Sequence, residues 1–223
     1  MLYLFTFIVI AGVAFSQYRN GMFTSLTMLF QVLIAGFVAF GFWEPAADMM
    51  DELWQESKMS GYEDCIALTL LFVVTVAALR LVTNRVLNKQ MLDYHSIAQQ
   101  IGGPAIGAIT GYLLSGFLIC VFQTLPIDEN FFGFAPRKTD EPALRSVFPA
   151  DRVWRGMMRH AGAFPLSGAE DRPEEEKVID RTVTFDRDGT FELRYARYRR
   201  HSQNRPVPMV YQGEFDRELG RKK

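Results

Sequence analysis

The sequence predicts an α-helical integral membrane protein: a four-span transmembrane helical bundle followed by a small polar α+β tail. Three observations predict it. Four apolar runs with no charged residue lie within residues 1–125, whereas residues 126–223 hold most of the charge. None of the four runs has a polar face, which argues against a soluble bundle. The fourth, IGGPAIGAITGYLLSGFLICVFQ at 101–123, is also dense in glycine. Glycine costs about 1 kcal/mol against alanine in a helix interior in water, so a soluble core helix rarely accepts it so often.

The spans fall at 2–17, 22–43, 65–84 and 104–125. A helix needs about 20 apolar residues to cross the ~30 Å hydrocarbon layer. The second and fourth runs meet that length directly. The uncharged parts of the first and third, 2–16 and 65–79, are shorter and need snorkelling flanks or a thinned bilayer. The first run has no basic segment before it, and Gln17-Tyr18-Arg19 is unlike a small-residue cleavage site. It therefore reads as a retained span rather than a signal peptide.

The glycines have a reason to sit in the fourth span. Apolar packing between helices gains little in lipid, so close backbone approach through small residues takes over. Gly103, Gly107, Gly111 and Ser115 stand four apart and form one stripe along the helix. Packing of the protein's own bundle is the first expectation for this stripe; a second copy or a partner helix is the alternative. Pro104 is expected in the first helical turn, where its missing N–H is harmless.

Charge sets the orientation. Arg19 lies in the first connection, and Arg80, Arg85 and Lys89 outweigh Asp93 in the third. The second connection carries Glu44, Asp48, Asp51, Glu52, Glu56, Glu63 and Asp64 against Lys58. Basic residues near span ends favour the cytoplasmic side, so both termini are expected outside. The last segment is itself basic, which the same rule tolerates for long translocated domains. Residues 81–92 are expected to carry the third helix into an interfacial segment.

These features resemble the colicin V production protein family over residues 1–125. The residues that carry the likeness are the turn Arg19-Asn20-Gly21 after the first span and the basic continuation of the third span. The glycine-rich fourth span, Gly102-Gly103-Pro104 through Gly107 and Gly111, completes it. The resemblance implies a bacterial inner-membrane protein with a non-enzymatic accessory role in toxin production or export, or in envelope homeostasis. Here Met1-Leu2-Tyr3-Leu4 lacks the acidic residue that family members often carry near the start of the first span.

In the tail, residues 150–161 place Val153, Trp154, Met157, Met158 and Ala161 at helical spacing, with Arg152, Arg155 and Arg159 largely opposite. That pattern fits a helix on the membrane surface, or one packed on the rest of the tail. Residues 182–198 alternate around Asp188-Gly189 and predict a β-hairpin, with 207–215 as a third strand. Arg199-Arg200-His201 reads as a solvated basic cluster, and no fold that binds nucleic acid accompanies it.

Candidates for chemistry are few. Gln31 and Thr110 are polar side chains within the spans, and Gln31 is expected to hydrogen-bond between helices. They would also be the handles of the alternative function, a small transporter or channel subunit for a neutral solute. His95, His160 and His201 have no metal-ligand spacing, and no nucleophile elbow or phosphate loop occurs. Asp48, Asp51 and Glu52 could offer oxygen ligands to a divalent cation but read as helix-end carboxylates. No catalytic residue, cofactor or metal is expected. Partners are expected to be the lipid bilayer and either a second copy or an envelope protein. Cys65 and Cys120 fall near the outer ends of their spans, where a disulfide is conceivable but free thiols are the expectation.

Overall fold

A computed structural model of the chain describes residues 2–18, 21–54, 62–86, 96–127, 149–163 and 191–202. The described residues are almost wholly helical: α1 (Leu2–Gln17), α2 (Gly21–Trp54), α3 (Glu63–Val86), α4 (Ser96–Thr124), α5 (Ala150–Ala163) and α6 (Phe191–Ser202). Among the described residues, three stretches are long and apolar enough to cross a membrane, Gly21–Met50, Glu63–Arg85 and Ile101–Thr124. Leu2–Gln17 is apolar but shorter. At 1.5 Å per residue it is about 24 Å long.

α1 to α4 alternate in direction. Gly103 faces Gln17 and Gly111 faces Ile10, so α4 runs antiparallel to α1. Met22 meets Gly102 and the Phe40 ring meets Phe117, so α2 runs parallel to α4. The helices pack in the order α1, α4, α2, α3, with α1 and α3 at opposite ends of the row. Gly21 enters α2 at φ 76°, a left-handed conformation that favours glycine.

The core lies between α2, α3 and α4. Val32, Ala35, Ala39 and Phe40 meet Leu68, Phe72, Leu113 and Phe117, all buried. The Phe72 and Phe117 rings stack at 4.0 Å. Outside this core, Phe7, Phe15, Phe30, Leu70, Val73, Leu81 and Ile109 are exposed. Large apolar side chains facing outward on neighbouring helices form the surface expected of a protein solvated by lipid tails.

Several helix limits differ from the sequence reading. α2 continues past residue 43 through Pro45 to Trp54. Glu44, Asp48, Asp51 and Glu52 thus sit on a helical extension rather than in a loop, and Glu63 and Asp64 open α3. α4 begins at Ser96, so Pro104 stands inside the helix rather than in its first turn. The third helix continues to Val86; the rest of the expected interfacial segment lies outside the described residues.

The hairpin expected at 182–198 requires correction. Residues 191–202 form α6, so its second strand is not formed. The turn Asp188-Gly189, the first strand and the expected strand at 207–215 lie outside the described residues. The physical reason is the ambiguity of a short apolar run. Phe191, Leu193 and Tyr195 alternate, yet Phe191, Tyr195 and Arg199 also stand four apart. That second spacing aims all three at the bundle, where they are buried.

Candidate functional site

α5 and α6 close one end of the bundle, where α2 leaves its apolar stretch, α3 begins and α4 ends. The apolar part of this cap is a knob in a slot. Trp154 is 0% exposed and lies against Gly36 of α2 and Gly116 of α4. A Cβ on Gly36 would collide with Trp154 Cζ2 and lie 2.6 Å from its Cη2, and one on Gly116 would come 2.8 Å from Trp154 Cβ. Both glycines are therefore needed for α5 to approach. Met158 lies beside Gly36, and the rings of Phe40 and Phe117 flank the indole at 6.3 and 5.8 Å. α6 adds Phe191 and Tyr195, which pack on Phe40 and Trp43.

A buried polar network surrounds this knob. Arg155 pairs with Glu192 at 2.6 Å and with Asp151 at 3.7 Å, and Arg152 reaches Glu192 at 3.4 Å. Gln123 Nε2 donates to Asp151 Oδ2 at 3.1 Å, and Arg199 donates to the Gln123 carbonyl. Two further links tie α6 to the bundle. Tyr195 donates its hydroxyl to Asp64 Oδ2 at 2.9 Å, and Arg194 donates to Glu44 at 3.0 Å. Burial raises the Asp151 carboxyl above its ordinary value, with the charge on Arg155 opposing. Burial, reinforced by the Asp64 carboxylate, holds the Tyr195 hydroxyl well above the usual tyrosine range.

The network gives the charge pattern of the chain a structural meaning. Glu44, Asp48, Glu63 and Asp64 lie at the cap end of α2 and α3, and Arg194 of α6 meets that end at Glu44. Arg80 and Arg85 are exposed toward the opposite end of α3. Arg19 and Lys89 lie outside the described residues.

The residues singled out in the sequence lie mostly elsewhere. Gly103, Gly107 and Gly111 face α1. A Cβ on Gly111 would lie 2.8 Å from Ile10 Cα, one on Gly107 3.0 Å from Ala14 Cα, and one on Gly103 3.0 Å from the Gln17 carbonyl oxygen. Ser115 is buried and donates to the Tyr112 carbonyl at 2.7 Å. Thr110 donates to the Ile106 carbonyl at 2.9 Å, and Gln31 donates to Thr83 of α3 at 2.9 Å. At the α1–α2 turn, Ser25 donates to the Gln17 side chain at 3.3 Å. Cys65 and Cys120 are not joined in a disulfide. Among the described residues, no group of three or more His, Cys, Asp or Glu side chains could hold a metal ion.

Sequence reasoning missed the docking of α5 on the bundle. It placed Arg155 opposite the apolar stripe, whereas Arg155 is turned inward and buried by its partners on α5 and α6. The available signals were a glycine in the middle of the second span, Gly36, and the acidic connection matched by a basic tail.

The class is a helical membrane protein whose polar tail caps one end of an apolar bundle. The family model described as colicin V production protein matches residues 3–141, and the chain belongs to that family. The match runs past the fourth apolar run into the tail. Among curated proteins and solved structures, nothing matches the chain.

Proposed function

We propose that the chain is a four-span, non-enzymatic accessory protein of the bacterial inner membrane, serving toxin production or export, or envelope homeostasis. In this reading α1 is the fourth span, with its flanks snorkelling or the bilayer thinned around it. Both termini and the α5–α6 cap face away from the cytoplasm. The glycine stripe of α4 organises the bundle by holding α1 close, and the cap meets an envelope partner.

The observation that carries this reading is the separation of charge between the two ends. The cap meets the acidic end of the bundle through Arg194 on Glu44 and Tyr195 on Asp64, while Arg80 and Arg85 occupy the other end, as an inward-facing basic side requires. Family membership supports the accessory role. Gln31 and Thr110, the handles of a neutral-solute carrier, are engaged within the bundle, which favours the accessory reading over transport.

The test is the side on which the tail lies. A tag at Lys223 should be digested by protease added to intact spheroplasts. Protection until the inner membrane is broken would invert the topology and place the cap in the cytoplasm.

A further inference from the structure

The cap meets the bundle through contacts that pull in opposite directions. Trp154 and Ala150 fill the slot at Gly36 and Gly116, and the ion pairs join α5 to α6 as one piece. The closed arrangement also keeps polar groups from water. Trp154 Nε1 and Gln123 Oε1 are buried with no hydrogen-bond partner among the described residues, and Asp151 is 2% exposed. Unsatisfied buried polar groups are rare in folded proteins because each forgoes its hydration, so a cluster of them marks stored strain. Opening would rehydrate all three and expose the apolar slot. Such a balance defines a local two-state element.

We propose that α5 and α6 form a releasable lid over the groove between α2 and α4, opening as one unit while α1 to α4 remain folded. The chain carries its own reporter of this motion. Cys120 of α4 is 0% exposed, and its Sγ lies 3.9 Å from the carbonyl oxygen of Asp151, so α5 covers it directly. Cys65 on α3 is only half-buried. The proposal requires the docked cap alone and does not depend on which side of the membrane the cap faces.

Hydrogen exchange on the full chain in lipid nanodiscs tests it. The central amides of α5 and α6 should exchange together, roughly tenfold or more faster than those of Leu113–Val121 in α4. In a Cys65→Ser chain, N-ethylmaleimide should label Cys120 at a rate that follows this opening. Glu192→Gln, which removes the charge shared by Arg152 and Arg155, should speed both by a similar factor and leave α4 exchange unchanged. Tyr195→Phe, an isosteric change that leaves the slot intact, should act in the same direction. Exchange of α5 and α6 no faster than α4, or at unrelated rates, would overturn the proposal. So would a Glu192→Gln chain in which α4 exchange rises as much as that of the cap.

Discussion

α4 is held on two sides by different means. Toward α1 it presents Gly103, Gly107 and Gly111, and the contact is backbone against backbone. Toward α5 it presents Gly116, but there the glycine makes room for a tryptophan, and charged pairs surround the contact. The first seam is built for lipid, where dispersion between closely approaching helices replaces the hydrophobic effect. The second seam lies at the polar end of the bundle, where a large apolar side chain gains from leaving water and ionised groups find partners. Small residues thus serve two purposes on one helix.

The largest expected effect lies at the second seam. Trp154→Ala removes the knob, and replacing a buried aromatic by alanine costs about 3–5 kcal/mol. The loss should fall on cap docking, seen as faster exchange of α5 and α6, with the melting of α1 to α4 little changed. Next is Gly111→Leu at the first seam. Its new side chain would collide with the Ile10 backbone, and overpacking costs about 1–3 kcal/mol, occasionally more. Here the thermal stability of the whole bundle in detergent should fall, and unchanged melting would remove the glycine seam from the account.

Smaller changes sharpen the comparison. Tyr195→Phe leaves Asp64 without its hydroxyl donor and should weaken the cap by about 1 kcal/mol, leaving the α1–α4 seam untouched. Arg194→Ala breaks a pair whose side chains are about half exposed, so less than about 1 kcal/mol is expected.

The two seams should also differ in their response to pH. Asp151 faces Arg152 and Arg155 of α5, Glu192 of α6, and Gln123 and Tyr112 of α4. Its carboxyl value is raised in the docked cap, so docking favours the protonated form. That contribution is complete below the ordinary aspartate value of 3.8 and is lost as the pH rises through the raised value. Tyr195 acts in the same direction far higher on the scale. Cap exchange should therefore accelerate with rising pH beyond its intrinsic chemical dependence. The α1–α4 seam presents no titratable side chain at its glycines and should show no such excess. Asp151→Asn should abolish the aspartate component.

What the sequence made legible was what repeats locally. Apolar runs of membrane length and glycines four apart on 104–125 each follow from spacing within one segment. Gln31 as a link between helices was legible for the same reason, since a polar side chain in a span needs a partner. The cap was not legible because its contacts join α5 and α6 to distant residues such as Gly36, Asp64, Gly116 and Gln123, and no local period reports such a pairing. α6 shows the difficulty most plainly. Its residues satisfy both a strand and a helix pattern, and only the aromatic surface of Phe40 and Trp43 decides between them.

The central claim is that the basic tail is seated on the acidic end of the bundle. Its most direct test is a cross-link between α6 and α2 in native membranes. Cysteines in place of Glu44 and Arg194, in a chain with Cys65→Ser and Cys120→Ser, can be offered a short bifunctional thiosulfonate. The account predicts efficient intramolecular bridging of this pair and none for a control pair at Arg85 and Arg194. Failure to bridge Glu44→Cys with Arg194→Cys, while both thiols remain reactive to a monofunctional reagent, would contradict the docked cap.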